Sequence, residues 1–464
     1  MAEEGVCIIE TLSHLQKEQS MRRILSLLGA FVSLLSAQTE VFGLRTYAAD
    51  DEYRPPVIQK NEYVTIEFDV TTDLPPNLNI IFRHASRDWV IDRNTFVNYE
   101  PKLRSESLFY TAAPNGVVHY TYHFKNSFPN KRSFVEFTYS GNYLYSVVDR
   151  DNGDKVIAEG RFIIAESAVP VTMKIENKYH PEFSSPLNQR NLFTLNISAP
   201  SEYTAADDLA IDHTGIRRID IIRNWEFERP MTIDADDRNG ETFVEYITMP
   251  SKIFTKRDAA PGNEYRRLDI SSPQFYPNNL PVLVRDQPDV SRFQWQGKPD
   301  ANGASKLNAF TGANSDYLEV EMRLRIAQPP AKRIFVTGGF TEWNVLPEYE
   351  MVRDSSDGLY RSQFWLRRGV YDYQYVLGEV DANGKVTEQD WLTLEGNDWR
   401  TINRYIAVLY YQDRRSGGFD RVVGVVRGRN PGTSEHGKSS SSVSSSTESQ
   451  IQSLPIKNIP PVKR

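Results

Sequence analysis

The chain has 464 residues, of which 39% are hydrophobic and 12% aromatic, with a formal net charge of −7 and a pI near 5.7. The acidic balance argues against a protein that tracks nucleic-acid phosphates, which needs a basic excess. The apolar content argues against a chain disordered throughout, and at roughly 100–200 residues per domain the length corresponds to two to four domains.

The first element is a targeting signal. Met21-Arg22-Arg23 supplies positive charge, Ile24 to Leu35 is an apolar run broken only by Ser and Gly, and Ser36-Ala37-Gln38 offers small residues for cleavage. This pattern predicts an exported protein with residues 1–37 as extension and signal peptide and a mature start near Gln38. The run is shorter than the ~20 apolar residues of a membrane-spanning helix. Residues 1–20 are acidic, unlike the start of a signal; either translation begins at Met21 or the segment folds back as a buried helical hairpin. The only cysteine, Cys7, lies upstream of the cut, so the mature chain would form no disulfide and offer no thiolate to a metal.

Residues 38–167 read as an N-terminal β-sandwich. Val64, Ile66, Phe68 and Val70 alternate with Thr65, Glu67 and Asp69, the period of a half-buried strand. Further strands are predicted at Leu78 to Phe82, Val117 to Phe124, Phe134 to Tyr139, Tyr143 to Val148 and Arg161 to Ile164. Ser140-Gly141-Asn142 is the expected hairpin turn between the strands at Phe134 to Tyr139 and Tyr143 to Val148. Residues 168–315 form a middle β-rich domain with strands at Phe193 to Ile197, Ile216 to Arg223 and Thr242 to Thr248. The stretch from Phe275 to Gly312, rich in Pro, Asn, Asp and Gly, reads as an extended connection. Residues 316–426 read as a C-terminal sandwich, with strands from Tyr317, at Ile334 to Val336, Leu359 to Leu366, Val370 to Leu377 and Tyr405 to Tyr411. From 427 to 464 the composition collapses into a Ser-rich tail that cannot bury enough apolar area to order itself. The expected fold class is therefore mainly β: a chain of immunoglobulin-like or E-set-like β-sandwiches with a disordered C-terminal tail.

The residues offer little catalytic apparatus. Gly432 to Ser439 matches a phosphate-binding loop by letter, but a serine run follows it where a docking helix is needed. His119 and His123, four apart on a predicted strand, would stand about 13 Å apart, too far to share one metal. Asp234 to Gly240 resembles a calcium loop loosely, yet no register places both the glycine and the twelfth-position acid correctly. Gly338-Gly339-Phe340-Thr341-Glu342-Trp343-Asn344 resembles an early strand of glycogen-binding-type sandwich modules. In such modules Trp343 and Trp365 would be the sugar-stacking faces; the competing role is a turn pinned into the core by Phe340 and Trp343. No catalytic residue, metal ligand or cofactor is expected.

Taken in order, several segments resemble the plug protein family of the type IX secretion system of Bacteroidetes-type bacteria. They are His84-Ala85-Ser86-Arg87-Asp88-Trp89, Ser127-Phe128-Pro129-Asn130, Ser140-Gly141-Asn142-Tyr143 and Tyr265-Arg266-Arg267-Leu268-Asp269-Ile270. Gly369 to Tyr375, Glu395-Gly396-Asn397 with Trp399, and Phe419-Asp420-Arg421 continue the series. The Ser-rich tail, the N-terminal extension and residues 168–260 depart from the pattern. The resemblance implies a periplasmic, non-enzymatic protein with no transmembrane segment of its own. Its partner would be the giant outer-membrane translocon β-barrel, one plug per barrel, whose periplasmic mouth it would close. A periplasmic carbohydrate-binding protein using the C-terminal sandwich is the alternative.

Overall fold

The computed structural model of the chain describes residues 39–130, 134–178, 189–198, 211, 213–237, 239–248, 251–278, 281–283, 287–291, 300–414, 418–430 and 443–444. The predicted signal and the phosphate-loop match at 432–439 lie outside the described residues. The chain is mainly β, with several sheets.

The first unit contains β1 (Glu40–Ala48), β2 (Val57–Gln59), β3 (Val64–Thr71), β4 (Leu78–Ala85), β5 (Tyr110–Ala112), β6 (Tyr122–Phe128), β7 (Gly141–Asp149) and β8 (Lys155–Ala165), with one helical turn, α1 (Glu100–Leu103). Two four-stranded sheets, β1-β3-β6-β5 and β2-β8-β7-β4, face each other. Between them lie Val64, Ile66, Phe68 and Val70 with Phe82, Phe124, Tyr143 and Phe162. Phe82 makes edge-to-face contacts with Phe128, Phe137 and Phe162, the geometry that aromatic quadrupoles favour. Ser140-Gly141-Asn142 is not a hairpin turn: residues 134–138 are irregular, and Gly141 and Asn142 already pair in β7 with Ile164 and Ile163.

The middle of the chain supplies β9 (Val171–Lys178), β10 (Arg190–Ser198), β11 (Ile216–Arg223), β12 (Met231–Asp234), β13 (Thr242–Thr248) and β14 (Ser251–Ala259). The next stretch supplies β15 (Arg266–Asp269), β16 (Val282–Leu283), β17 (Asp289–Val290), β18 (Ser305–Leu307), β19 (Tyr317–Arg325), β20 (Arg333–Gly338), β21 (Glu350–Arg353), β22 (Tyr360–Arg367), β23 (Gly369–Val380) and β24 (Val386–Asp390). The chain ends in β25 (Arg404–Asp413), β26 (Phe419–Arg429) and β27 (Val443–Ser444).

Sheet pairing does not follow the predicted boundary at 315/316. β25 and β26 leave the C-terminal strands and join β11 and β12 in the order β12-β11-β25-β26. This sheet closes the middle sandwich against β13-β14-β10-β9-β27. Leu195, Ile197, Ile219, Ile221, Leu409 and Val423 meet in that core. In exchange, β15 and β18, from residues expected to be middle domain or connection, pair with β23 in the ten-stranded C-terminal system. The predicted tail also begins late: β26 runs through Arg429 and Asn430 is buried.

The units meet through two unlike surfaces. Val57, Ile163 and Ala165 of the first unit pack on Ile222, Ile406, Val408 and Val422 of the middle one, an apolar seam. Against the C-terminal unit, the first unit turns a charged face.

Candidate functional site

That charged face is the outward side of β3. Alternation sends Val64, Ile66, Phe68 and Val70 into the sandwich and Thr65, Glu67 and Asp69 the other way. An outward face normally meets water. Here Glu67 is 7% and Asp69 1% exposed, because the C-terminal unit covers them. Buried carboxylates need partners, and both sides of the junction provide them. His123 on β6 approaches Asp69 with Nδ1 2.7 Å away. Across the junction the Tyr317 hydroxyl donates to Asp69 at 2.9 Å, and Arg367 Nη1 lies 3.2 Å from Asp69 and 3.7 Å from Glu67. Tyr47 donates to Glu67 at 2.7 Å. Arg45 donates to Glu52 at 2.6 Å and to the Ser305 carbonyl at 3.3 Å, while the Leu307 amide donates to Glu52 at 3.0 Å.

The electrostatics follow from these contacts. Burial opposes ionisation of Glu67, but Arg45, the Tyr47 hydroxyl, His123 and Arg367 outweigh it and hold its carboxyl below the usual range. Burial likewise opposes the charge on Arg367, and Asp69 with its neighbours reverses the balance. Burial and Asp69 together push the Tyr317 hydroxyl well above its ordinary value. Gly43 allows this approach. It sits at φ +59° in the β1 irregularity between Phe42 and Arg45, and a Cβ there would lie 2.5 Å from the Tyr317 hydroxyl.

The Gly338 to Asn344 turn docks beside the same cluster. Glu342 and Trp343 are consecutive non-glycine residues with φ of 48° and 62°, a left-handed geometry that costs free energy and persists only where packing over-determines it. Trp343 is 1% exposed. Its indole donates to the Gly303 carbonyl at 2.7 Å and its ring lies 4.2 Å from that of Tyr265. Glu342 reaches β1 across the junction; burial pushes its carboxyl up to about 7, against hydrogen bonds from Thr46. The cavity lined by Arg45, Glu52, Trp225, Ser305 and Glu342 measures about 10 Å³, room for about one water and far below the ~300 Å³ of a ligand pocket.

A second carboxylate group latches the chain just behind this turn. Asp372 Oδ2 accepts the amides of Ala301 and Gly303 at 2.7 and 3.0 Å, and Glu264 accepts the Asp300 amide at 3.1 Å. Burial raises Asp372 to about 6 and, with Glu264 and Asp372 nearby, lifts Asp300 well above the usual range. Among the described residues no three His, Cys, Asp or Glu side chains are grouped so as to hold a metal ion, and no helix is long and apolar enough to cross a membrane.

The residues singled out from sequence are not brought together. Trp343 has no free face for a sugar, because its ring fills the core. Trp365 is 46% exposed on the outer face of β22, with the His119 ring 4.4 Å from its own. His119 lies outside any strand and pairs with Asp316 at 3.0 Å, while His123 turns to Asp69. Asp234 ends β12 and Asp236 pairs with Arg217, as in a solvated turn. Sequence reasoning missed Arg45, Glu52, Asp69 and Arg367 as a group. The one available signal was two acids on a single face of a predicted strand.

A sequence model described as "Type 9 secretion system plug protein 1st domain" matches residues 41–166, the span of the first unit. No curated protein matches the chain by sequence. Among solved structures, the fold is similar to the crystal structure of a hypothetical protein from Parabacteroides merdae ATCC 43184, with a TM-score of 0.68 and 19% identity. That match covers 84% of this chain and 97% of the other, and shows a shared architecture. Over residues 41–166 the chain carries a domain of the type IX secretion system plug family.

Proposed function

We propose that the protein is a non-enzymatic periplasmic plug that binds the periplasmic mouth of the outer-membrane translocon barrel, one per barrel, and seals it when no cargo is moving. The observation that carries this reading is the family match over residues 41–166, which supports a role in type IX secretion. A stopper works by mutually exclusive occupancy. Bound, it blocks the pore; released, it leaves the pore to cargo. Such a part gains from being preorganised, because ordering loose domains on docking costs affinity. The buried Arg367–Asp69 ion pair and the hydrogen bonds of Arg45 and Tyr317, which link β1 and β3 to β18, β19 and β22, support a preorganised body. Affinity purification of the tagged chain from native membranes tests the reading. Co-purification of one very large outer-membrane barrel is the expected result; its absence in several detergents would sink the proposal.

A further inference from the structure

Exposed large hydrophobic side chains are unevenly distributed. Of seventeen among the described residues, eleven lie within 41–166. Several collect along one edge of the first domain. There residues 91–108 run irregularly beside the outermost strand of its second sheet, β4. Ala85 bridges Ile91, Ile81 bridges Arg104, and the Ser105 and Leu108 amides donate to Ile80 and Leu78. The segment is thus firmly seated, and its apolar residues are sorted: Val97, Leu103 and Leu108 point inward, while Phe96 and Tyr99 are 74% and 55% exposed. The Glu136 amide donates to the Lys102 carbonyl at 2.9 Å and brings a second segment alongside α1. That segment repeats the sorting, with Val135 buried and Phe134 75% exposed.

We infer that this edge, centred on Phe96, Tyr99 and Phe134 with Val90 and Ile91 beside it, is the surface that docks on the barrel mouth. The inference rests on the plug reading above. An aromatic side chain buries roughly 150–250 Å², so the three rings offer on the order of 300–500 Å² at their observed exposures. That is as much apolar surface as a monomer usually leaves in water. It also suits the apolar centre of an interface burying ~800 Å² per partner. The rim is polar and its charges are already paired with one another: Lys102 with Glu136 at 2.8 Å, and Arg104 with Glu100 at 3.3 Å and Asp154 at 2.6 Å. A centre of aromatics inside a rim whose charges are already paired with one another fits a partner lip that is itself apolar, not a charged one. The patch also lies in the domain that carries the family match, whereas Tyr246, Phe275 and Val352 elsewhere stand apart along the chain.

The test compares the full-length wild type, the variant Phe96→Ser/Tyr99→Ser/Phe134→Ser and the control variant Tyr246→Ser/Phe275→Ser for retention on detergent-purified translocon barrel. Light scattering reports the mass of each, and circular dichroism its folding. The expected result is at least ~10-fold weaker retention of the edge variant and unchanged retention of the control. If the triple variant does not fold, Phe96→Ser and Phe134→Ser are measured singly, each expected to weaken retention ~5-fold. Equal retention of wild type and edge variant overturns the surface assignment and leaves the plug reading standing. No retention of the wild type overturns both. A wild-type dimer that the edge variant turns into a monomer assigns the edge to a second copy of this chain and also overturns the inference.

Discussion

Arg367 offers the sharpest test of the junction. Its Nη1 lies 3.2 Å from Asp69 and 3.7 Å from Glu67, and all three side chains are under 10% exposed. At an effective dielectric of ~20, each such contact contributes about 4–5 kcal/mol before the desolvation of the guanidinium is counted. After that cost, removing one member of a buried pair typically destabilises by ~3–5 kcal/mol, because the other charge stays buried without its partner. Arg367→Ala is therefore expected to lower the unfolding free energy by ~3–5 kcal/mol in urea titration at pH 7. Arg367→Met combined with Asp69→Asn should recover more than half of that loss, since an apolar or neutral replacement of a whole buried pair is often tolerated. A loss under ~1 kcal/mol for Arg367→Ala, or a strictly additive double variant, would refute the view that this face is a buried electrostatic joint.

Other outcomes follow from neighbouring groups. Asp372 and Glu342 have folded-state carboxyls raised to about 6 and about 7. The folded chain thus holds these protons more tightly than the unfolded one, and their contribution, complete near pH 4, is lost as pH rises through 6 to 7. Asp372→Asn, which can still accept the Ala301 and Gly303 amides, should stabilise by ~1–3 kcal/mol at pH 8 and by little at pH 4, read from melts across that range. Gly43→Ala places a Cβ against the Tyr317 hydroxyl in a left-handed backbone and should destabilise by ~1–3 kcal/mol in the same titration. Trp343→Phe loses the bond to the Gly303 carbonyl and should cost ~1–3 kcal/mol. Trp365→Ala should stay within ~1 kcal/mol, and maltooligosaccharides should shift the melting temperature of neither the wild type nor either tryptophan variant.

Local pattern made much of this fold legible. Ile216 to Arg223 and Thr242 to Thr248 are strands with the bounds read from the sequence, and the inward face of β3 is the one its apolar residues mark. Partnership was not legible. Tyr405 to Tyr411 reads as a strand anywhere; one side pairs with the next strand, β26, and only tertiary packing assigns the other to β11, roughly two hundred residues earlier. β1 went unseen because its sequence, Glu40 to Ala48, mixes Gly, Arg and Thr with its apolar residues and carries an irregularity at Gly43. The junction was hidden for a related reason. Glu67 and Asp69 look like solvent-side residues of a two-faced strand, and their counter-ion Arg367 stands 298 positions from Asp69 in the chain. Trp343 shows the converse: a tryptophan in a turn motif is compatible with sugar stacking or core, and the indole bond to Gly303 decides for the core.

Pore conductance reads sealing itself. The purified translocon barrel is reconstituted in a planar bilayer and the full-length chain is added to its periplasmic side. The large open-pore current is expected to collapse at one chain per barrel and to return when the chain is washed out. An unchanged current with the chain demonstrably bound would contradict sealing.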